Sequence, residues 1–444
     1  MTRQQTIFAL SSGSGTAGVA VIRLSGPAVR LVVVALRIGP LVLRTARLVR
    51  LCDPGTGATL DTALALRFLA PDSYTGEDVL ELHVHGGRAV VAAVLGALSK
   101  IDGLRLAEPG EFTRRAFHNG KMDLTEAEGL ADLIAAETEA QRRQALRVAG
   151  GTLRTLYEGW RQQLIEAMAL VEAAIDFSDE ADVATDAVNQ ARDRLIGLRA
   201  LIAKHLDDKQ RGEIMRDGFR VVIAGPPNAG KSSLLNALAR RDVAIVSPIP
   251  GTTRDVIETR LDLGGYPVIV SDTAGIRRCP DGAIEQEGIR RSYVSAGEAD
   301  LVLWLTDSSG PASEPPDKLL GQDVDLRRVS SKADLAPNPA LLASTPSFSV
   351  KTGEGLPQLI GLLTEAARNR LDSSDAPLIT TARQRALVTE TASRLDDFLG
   401  GSPLDTELRA EDLRHAAQAI GRLTGRVDVE DVLDQVFSAF CIGK

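Results

Sequence analysis

At 444 residues the chain is too long for one ordinary core and calls for two or three domains. Apolar residues make up 44% and charged residues 25%, the balance of a soluble globular protein, and the 4% aromatic content argues for helical layers over an aromatic-rich β-sandwich. The net charge of -8 excludes a chain that grips nucleic acid through its overall charge, although Arg114, Arg115 and Lys121 stand close together.

Residues 1 to about 120 read as short strands between Gly- and Pro-containing turns, with some helix. Val19–Leu24 and Ala63–Leu69 have strand character, and Val90–Ser99 reads as a buried helix. Met1–Leu10 lacks the apolar core of a signal peptide. The most apolar early stretch, Val29 to Leu51, carries Arg30, Arg37, Arg44, Arg47 and Arg50, which a bilayer would penalise heavily. The three cysteines, Cys52, Cys279 and Cys441, have neither metal-ligand nor paired-disulfide spacing. A cytoplasmic protein with reduced thiols and no membrane span is expected.

From Leu124 to about Arg211 an Ala/Leu/Glu/Arg pattern with helical spacing takes over, interrupted at Gly150-Gly151 and Phe177-Ser178-Asp179. At Phe219 the texture changes again. Arg220–Ala224 is a buried-strand run, followed by a Gly-rich turn, the helix Ser232–Ala239, and further strands at Val268–Val270 and Leu301–Leu305. This alternation implies an α/β domain with a mainly parallel sheet. Asp372-Ser373-Ser374-Asp375 reads as a linker, after which helical periodicity returns from Ala382 to Phe440. The expected architecture is therefore multidomain, α/β plus α: an N-terminal α+β domain (1–120), a discontinuous helical bundle (121–215 and 372–444), and an inserted P-loop domain (216–371).

The chemistry concentrates in that insert. Gly225-Pro226-Pro227-Asn228-Ala229-Gly230-Lys231-Ser232 matches the phosphate-loop pattern between a strand and a helix, with Ser233 following. Its glycines let backbone N–H groups converge on phosphate oxygens, and the next helix adds its positive end. Lys231 is the charge for the β- and γ-phosphates, and the Ser232 hydroxyl is a magnesium ligand. Gly251-Thr252-Thr253-Arg254-Asp255 follows in a loop able to close over the γ-phosphate, with Thr253 completing magnesium coordination. Asp272-Thr273-Ala274-Gly275 ends a strand, which brings Asp272 to the magnesium and the Gly275 N–H to the γ-phosphate.

Base choice rests on Ser331-Lys332-Ala333-Asp334, whose carboxylate accepts from two guanine N–H groups that adenine does not offer, and on Ser349-Val350-Lys351. Most GTPases have Asn at the position of Ser331. GTP hydrolysis is the expected reaction, and the source of its catalytic groups stays open. Ile276 occupies the place where Ras-type proteins keep a water-orienting Gln, so the acid or base must come from elsewhere, with Glu285 and Glu287 as candidates. Arg254, Arg277 and Arg278 are candidate neutralising arginines. The Asn228 amide oxygen offers a monovalent-cation site beside the phosphates instead.

Ala20–Gly26, Tyr74–Leu82, Pro109–Phe117, Asn119–Leu124 and Phe440–Lys444 resemble the tRNA modification GTPase family MnmE (TrmE), and the match runs over essentially the whole chain. The resemblance implies a homodimer with an N-terminal tetrahydrofolate-binding domain, a split helical domain and an inserted GTPase domain. It also implies an FAD-containing MnmG-type partner, in a heterotetramer or larger complex that places an aminomethyl-type group (carboxymethylaminomethyl) on C5 of wobble uridine 34 of certain tRNAs. The one-carbon unit would come from 5-formyl- or 5,10-methylene-tetrahydrofolate.

By motif position Arg23, Glu81, Lys121 and Lys444 resemble the family's folate contacts, and Cys441 its cysteine near that site. Asn228 takes the potassium-ligand position, aided by Ser247, Ile249 and Thr252, and potassium-driven pairing of two GTPase domains would replace an arginine finger. Glu285 falls at the family's catalytic Glu. Two other readings remain at this point: a regulatory GTPase switch in ribosome assembly, suggested by the GTPase domain alone, and a folate-binding adaptor with a weak GTPase.

Overall fold

The computed structural model describes residues 5–13, 15–176, 181–241, 243–245, 258–272, 297–310, 313–316, 324–335, 345–372, 378–402, 405–427, 430–438, 440 and 442–443. These divide into two compact units: residues 1–131, 149–162 and 417–444 form the first, and 132–148 with 163–416 the second.

The first unit is built on a six-stranded sheet. Its strands are β1 (Thr6–Leu10), β2 (Ala17–Ser25), β3 (Arg47–Cys52), β4 (Thr59–Phe68), β5 (Val79–Gly86) and β6 (Leu104–Leu106), in the order β3-β4-β5-β2-β1-β6. Every pairing is antiparallel except β1 with β6. Alternation puts Ile22, Leu24, Leu51, Leu80 and Leu82 on the face that packs against α1 (Val29–Ala35) and α2 (Arg88–Leu98). The helix expected at Val90–Ser99 is this α2, but only Val94, Ala97 and Leu98 on its inner side are buried. It covers one face of a sheet and keeps its other side in water.

The C-terminal residues complete this unit. Leu433, Phe437 and Phe440 pack with Leu124 and Ala127 of α4 (Leu124–Ala135). Beyond them Ile442 bridges Pro109, and the Ser11 hydroxyl donates to the Gly443 carbonyl at 2.6 Å.

The long helical stretch is more divided than its periodicity suggests. It runs as α4, α5 (Glu139–Ala149), α6 (Thr152–Asp176), α7 (Ala181–Leu206) and α8 (Arg211–Asp217). The break after α4 is held by Gln141, whose amide oxygen accepts from the Glu137 and Thr138 N–H groups at 2.9 and 3.1 Å. Thr138-x-x-Gln141 thus acts as a capping box. A related cap stands where the helix Ala382–Gly400 begins: the Thr381 hydroxyl accepts from Gln384 N at 3.2 Å, and the Gln384 amide oxygen accepts from Thr380 N at 3.0 Å. That helix packs along α7, where Arg199 forks onto Asp396 through Nε and Nη2 at 2.8 Å each.

The second sheet has the order β11-β10-β7-β9-β8, from β7 (Phe219–Ala224), β8 (Glu258–Leu263), β9 (Tyr266–Asp272), β10 (Leu301–Asp307) and β11 (Asp325–Ser331). Three of its four pairings are parallel, and only edge strand β8 runs antiparallel to β9. β7 and β10 are buried almost throughout, as central parallel strands must be when both faces are covered. Helix α9 (Lys231–Ala239) and helix Leu356–Leu371 contribute Leu234, Leu235, Leu238, Leu359 and Leu363 to its core.

Candidate nucleotide site

In an open parallel sheet the crevice beyond the carboxyl ends of the strands is where ligands bind. The loop from Gly225 to Gly230 leaves β7 at that edge and feeds α9, while Asp272, Asp307 and Ser331 are the last residues of β9, β10 and β11. Gly225 has φ +145°, and a Cβ there would run into the Leu305 carbonyl oxygen, so glycine alone lets the loop turn beside β10. Asn228 and Gly230 also have positive φ, at 64° and 91°.

Lys231 curls back over this loop, with Nζ donating to the carbonyls of Gly225 and Pro226 at 2.9 Å each. Beside it the Ser232 hydroxyl donates to Asp272 Oδ2 at 2.6 Å. That contact joins the start of α9 to the end of β9. Ala229 is buried, and its N–H reaches back to the Pro226 carbonyl. Ser233 is exposed on the first turn of the helix.

The expected base-reading residues gather on the neighbouring strand ends. Ser331 is 2% exposed, and its hydroxyl lies 2.6 Å from the Ala229 carbonyl and 3.2 Å from that of Thr306. Lys332 adopts φ +57°, and its Nζ pairs with Asp307 Oδ2 at 2.7 Å. Partial burial works against the Asp307 charge, but hydrogen bonds from Lys332 and Ser309 hold its carboxyl below the usual range. Asp334 is exposed and accepts from the buried Ser349 hydroxyl at 2.7 Å, which keeps its pKa below the ordinary value. Val350 is partly buried against the core, and Lys351 is exposed beside it. Asp307 escaped the sequence reading, because no local pattern marks the partner of a lysine 25 positions away.

Glu285, Ser247, Ile249, Gly251, Thr252, Thr253, Thr273, Ala274 and Gly275 lie outside the described residues, as do Cys441, Lys444 and the alternative groups Arg254, Arg277, Arg278 and Glu287.

In the first unit Arg23 and Glu81 face each other across β2 and β5 and pair at 3.0 Å. The Arg23 guanidinium also lies 5.0 Å from the centre of the Tyr74 ring and 5.9 Å from that of Phe112. Burial pushes the Tyr74 hydroxyl's pKa up while it hydrogen-bonds Thr113 at 2.8 Å. Lys121 is exposed, with Nζ donating to the Pro71 carbonyl at 3.0 Å rather than joining the Arg23–Glu81 pair. Among the described residues no cluster of His, Cys, Asp and Glu could hold a metal by itself, and no helix is long and apolar enough to cross a membrane.

Two family models match the chain: the GTP-binding protein TrmE N-terminus over residues 6–121, and the MnmE helical domain over residues 124–441. The tRNA modification GTPase MnmE of Parvibaculum lavamentivorans is 51% identical over 449 residues, covering 99% of this chain and 100% of that protein. Its counterparts from Rhodopseudomonas palustris and Bradyrhizobium sp. are each 52% identical, over 449 and 448 residues, with 99% of both chains covered in each case. With the phosphate loop seated at the carboxyl edge of a mainly parallel sheet and both flanking regions matched end to end, the chain belongs to the MnmE family of tRNA modification GTPases.

Proposed function

We propose that the chain hydrolyses GTP at the carboxyl edge of the second sheet and uses that cycle to drive modification of wobble uridine 34 in tRNA, with an FAD-containing MnmG-type partner. The observation that carries the nucleotide part is the convergence of Lys231, Ser232 and Asp272 at one loop–helix junction. Lys231 neutralises the β- and γ-phosphates, the N-terminal N–H groups of α9 point at them, and Asp334, held by Ser349, accepts from guanine.

Ser232 and Asp272 present a hydroxyl and a carboxylate within 2.6 Å of each other, a hard-oxygen set suited to magnesium, with Thr253 as a further ligand. The ion supplies positive charge at the phosphates when bound. Asn228, in its left-handed turn, is the described member of a potassium set that would include Ser247, Ile249 and Thr252. Glu285 is assigned the acid–base role and Cys441 a role near the folate.

For tetrahydrofolate the reading rests on Arg23, Glu81, Lys121 and Lys444 in the first unit. A carboxylate–guanidinium pair beside the Tyr74 ring fits a flat heterocycle with N–H donors. The domain limits proposed are 1–120, 121–215, 216–371 and 372–444, in a cytoplasmic homodimer. Family matches outside the nucleotide domain favour tRNA modification over a ribosome-assembly switch.

The test is GTP turnover in potassium against sodium buffer, with Asn228→Ala as control. Stimulation by potassium that disappears in the variant supports the reading. Equal rates in the two salts would remove cation-assisted hydrolysis and return attention to Arg254, Arg277 and Arg278.

A further inference from the structure

We propose that the Ser331 hydroxyl is a positioning group that ties the phosphate loop to the base-reading strand, so that a serine here preserves nucleotide grip where most GTPases carry asparagine. The proposal rests on the nucleotide reading above.

Ser331 is the last residue of β11, in register with Asp307 at the end of β10. From that edge its side chain crosses to the loop after β7 and lies 2.6 Å from the Ala229 carbonyl, with the Thr306 carbonyl farther off at 3.2 Å. A hydroxyl has one proton to give, and the shorter contact directs it to Ala229. The Gly230 carbonyl is already engaged in the helix, accepting from Leu234 N at 2.9 Å. Ala229 stands one residue ahead of that first helical acceptor, so its carbonyl needs a donor from outside the helix.

Ser331 also has the required fixity. It is 2% exposed, and its backbone carbonyl accepts from Ser308 N at 3.0 Å. Immediately after it Lys332 turns left-handed, and the Ser308 hydroxyl donates to the Lys332 carbonyl at 2.8 Å. Gly230 lies beside this contact, where a Cβ would sit an ordinary 3.6 Å from Ser331 Oγ, and its φ of +91° rather than crowding is what favours glycine there. The short side chain therefore spans from a rigid strand end to the loop that cradles phosphate, and its one proton is committed to that loop. Base recognition is left to Asp334 and its Ser349 support.

A tether to the phosphate loop should matter in proportion to the phosphates held there, whereas a group touching guanine should matter equally for every guanine nucleotide. The experiment is calorimetric titration of the full chain with GDP and with GMP, for wild type and Ser331→Ala. The expected result is GDP binding weakened about 10-fold, equivalent to ~1.4 kcal/mol, with GMP affinity within about twofold of wild type. Equal loss for both nucleotides, or no loss for either, would overturn the tether. Wild-type protein that fails to bind GDP would instead remove the nucleotide reading beneath it. Melting temperature without nucleotide checks that the variant is folded. If it is not, Ser331→Cys keeps the bulk, replaces the hydroxyl by a weak donor and takes the same test.

Discussion

The Ser349 hydroxyl donates to the Asp334 carboxylate across 2.7 Å, so the two loops proposed to meet the base are joined through the carboxylate proposed to read it. Ser349 is fully buried and pinned on both sides, its N–H to the Glu354 carbonyl and its hydroxyl receiving Thr352 N at 3.2 Å. Asp334 is thereby pre-aimed although it is itself exposed.

Substituting Asp334→Asn should invert base preference. The amide can donate to a xanthine C2 carbonyl but faces guanine's amino group donor to donor, so affinity for GTP falls about 100-fold while XTP becomes the better ligand. Competition binding with both nucleotides checks this. Retained GTP preference would move base recognition away from Asp334.

Replacing Lys231 by alanine should separate chemistry from stability. Its amine donates to two loop carbonyls at a partly exposed site, so unfolding should change by no more than about 1–2 kcal/mol. GTP turnover should fall at least ~100-fold, because the charge beside the transferred phosphoryl group is gone. Single-turnover hydrolysis and denaturant titration on the same sample read the two quantities.

Asp123 gives the first unit a pH dependence of unusual sign for a carboxylate. Its Oδ1 caps α4 by accepting from Glu126 N at 2.8 Å, while Oδ2 is buried without a hydrogen-bond partner. Burial raises its pKa from 3.8 to about 6. The folded state therefore binds a proton that the unfolded chain does not, and this group's contribution grows as pH falls from 7 toward 4 and is lost as pH rises through 6. Asp123→Asn, which keeps a capping side chain, should flatten stability between pH 4.5 and 7 by about 2 kcal/mol, measured by denaturant titration across that range.

At the C-terminal segment, Gly443→Ala should undo docking. Gly443 has φ +101°, and a Cβ would strike the Leu10 carbonyl oxygen. A cost of about 1–3 kcal/mol is expected, visible as faster carboxypeptidase trimming and faster amide exchange around Ser11. Ser11→Ala, which removes one hydrogen bond, should cost about 1 kcal/mol.

Much of the nucleotide site is legible in sequence because its signals are local. Glycines at fixed spacing before Lys231, an apolar run such as Leu301–Leu305, and a carboxylate ending β9 each announce themselves within a few residues. Distance in sequence hides the remainder. The parallel pairing of Thr6–Phe8 with Leu104–Leu106, the Lys332–Asp307 pair and the reach of Ser331 to Ala229 join segments with no shared pattern. The break between α4 and α5 is hidden for another reason. Ala135-Ala136 suits a helix, and the Gln141 side chain, folding back on Glu137 and Thr138, helps hold the interruption. Arg23 and Glu81 carry family motifs, but their pairing is a matter of register between β2 and β5.

The bridge from Ile442 to Pro109 and the bond from Ser11 to Gly443 set an order on biosynthesis. A ribosome delivers the six strands of the first unit early, yet the helices and tail that close it, residues 417–444, come after all of the second unit. During that interval the Leu124 and Ala127 face of α4 waits for Leu433, Phe437 and Phe440 with its apolar side chains uncovered. The nascent protein must therefore carry a half-finished domain while an entire nucleotide-binding domain is made and folds behind it.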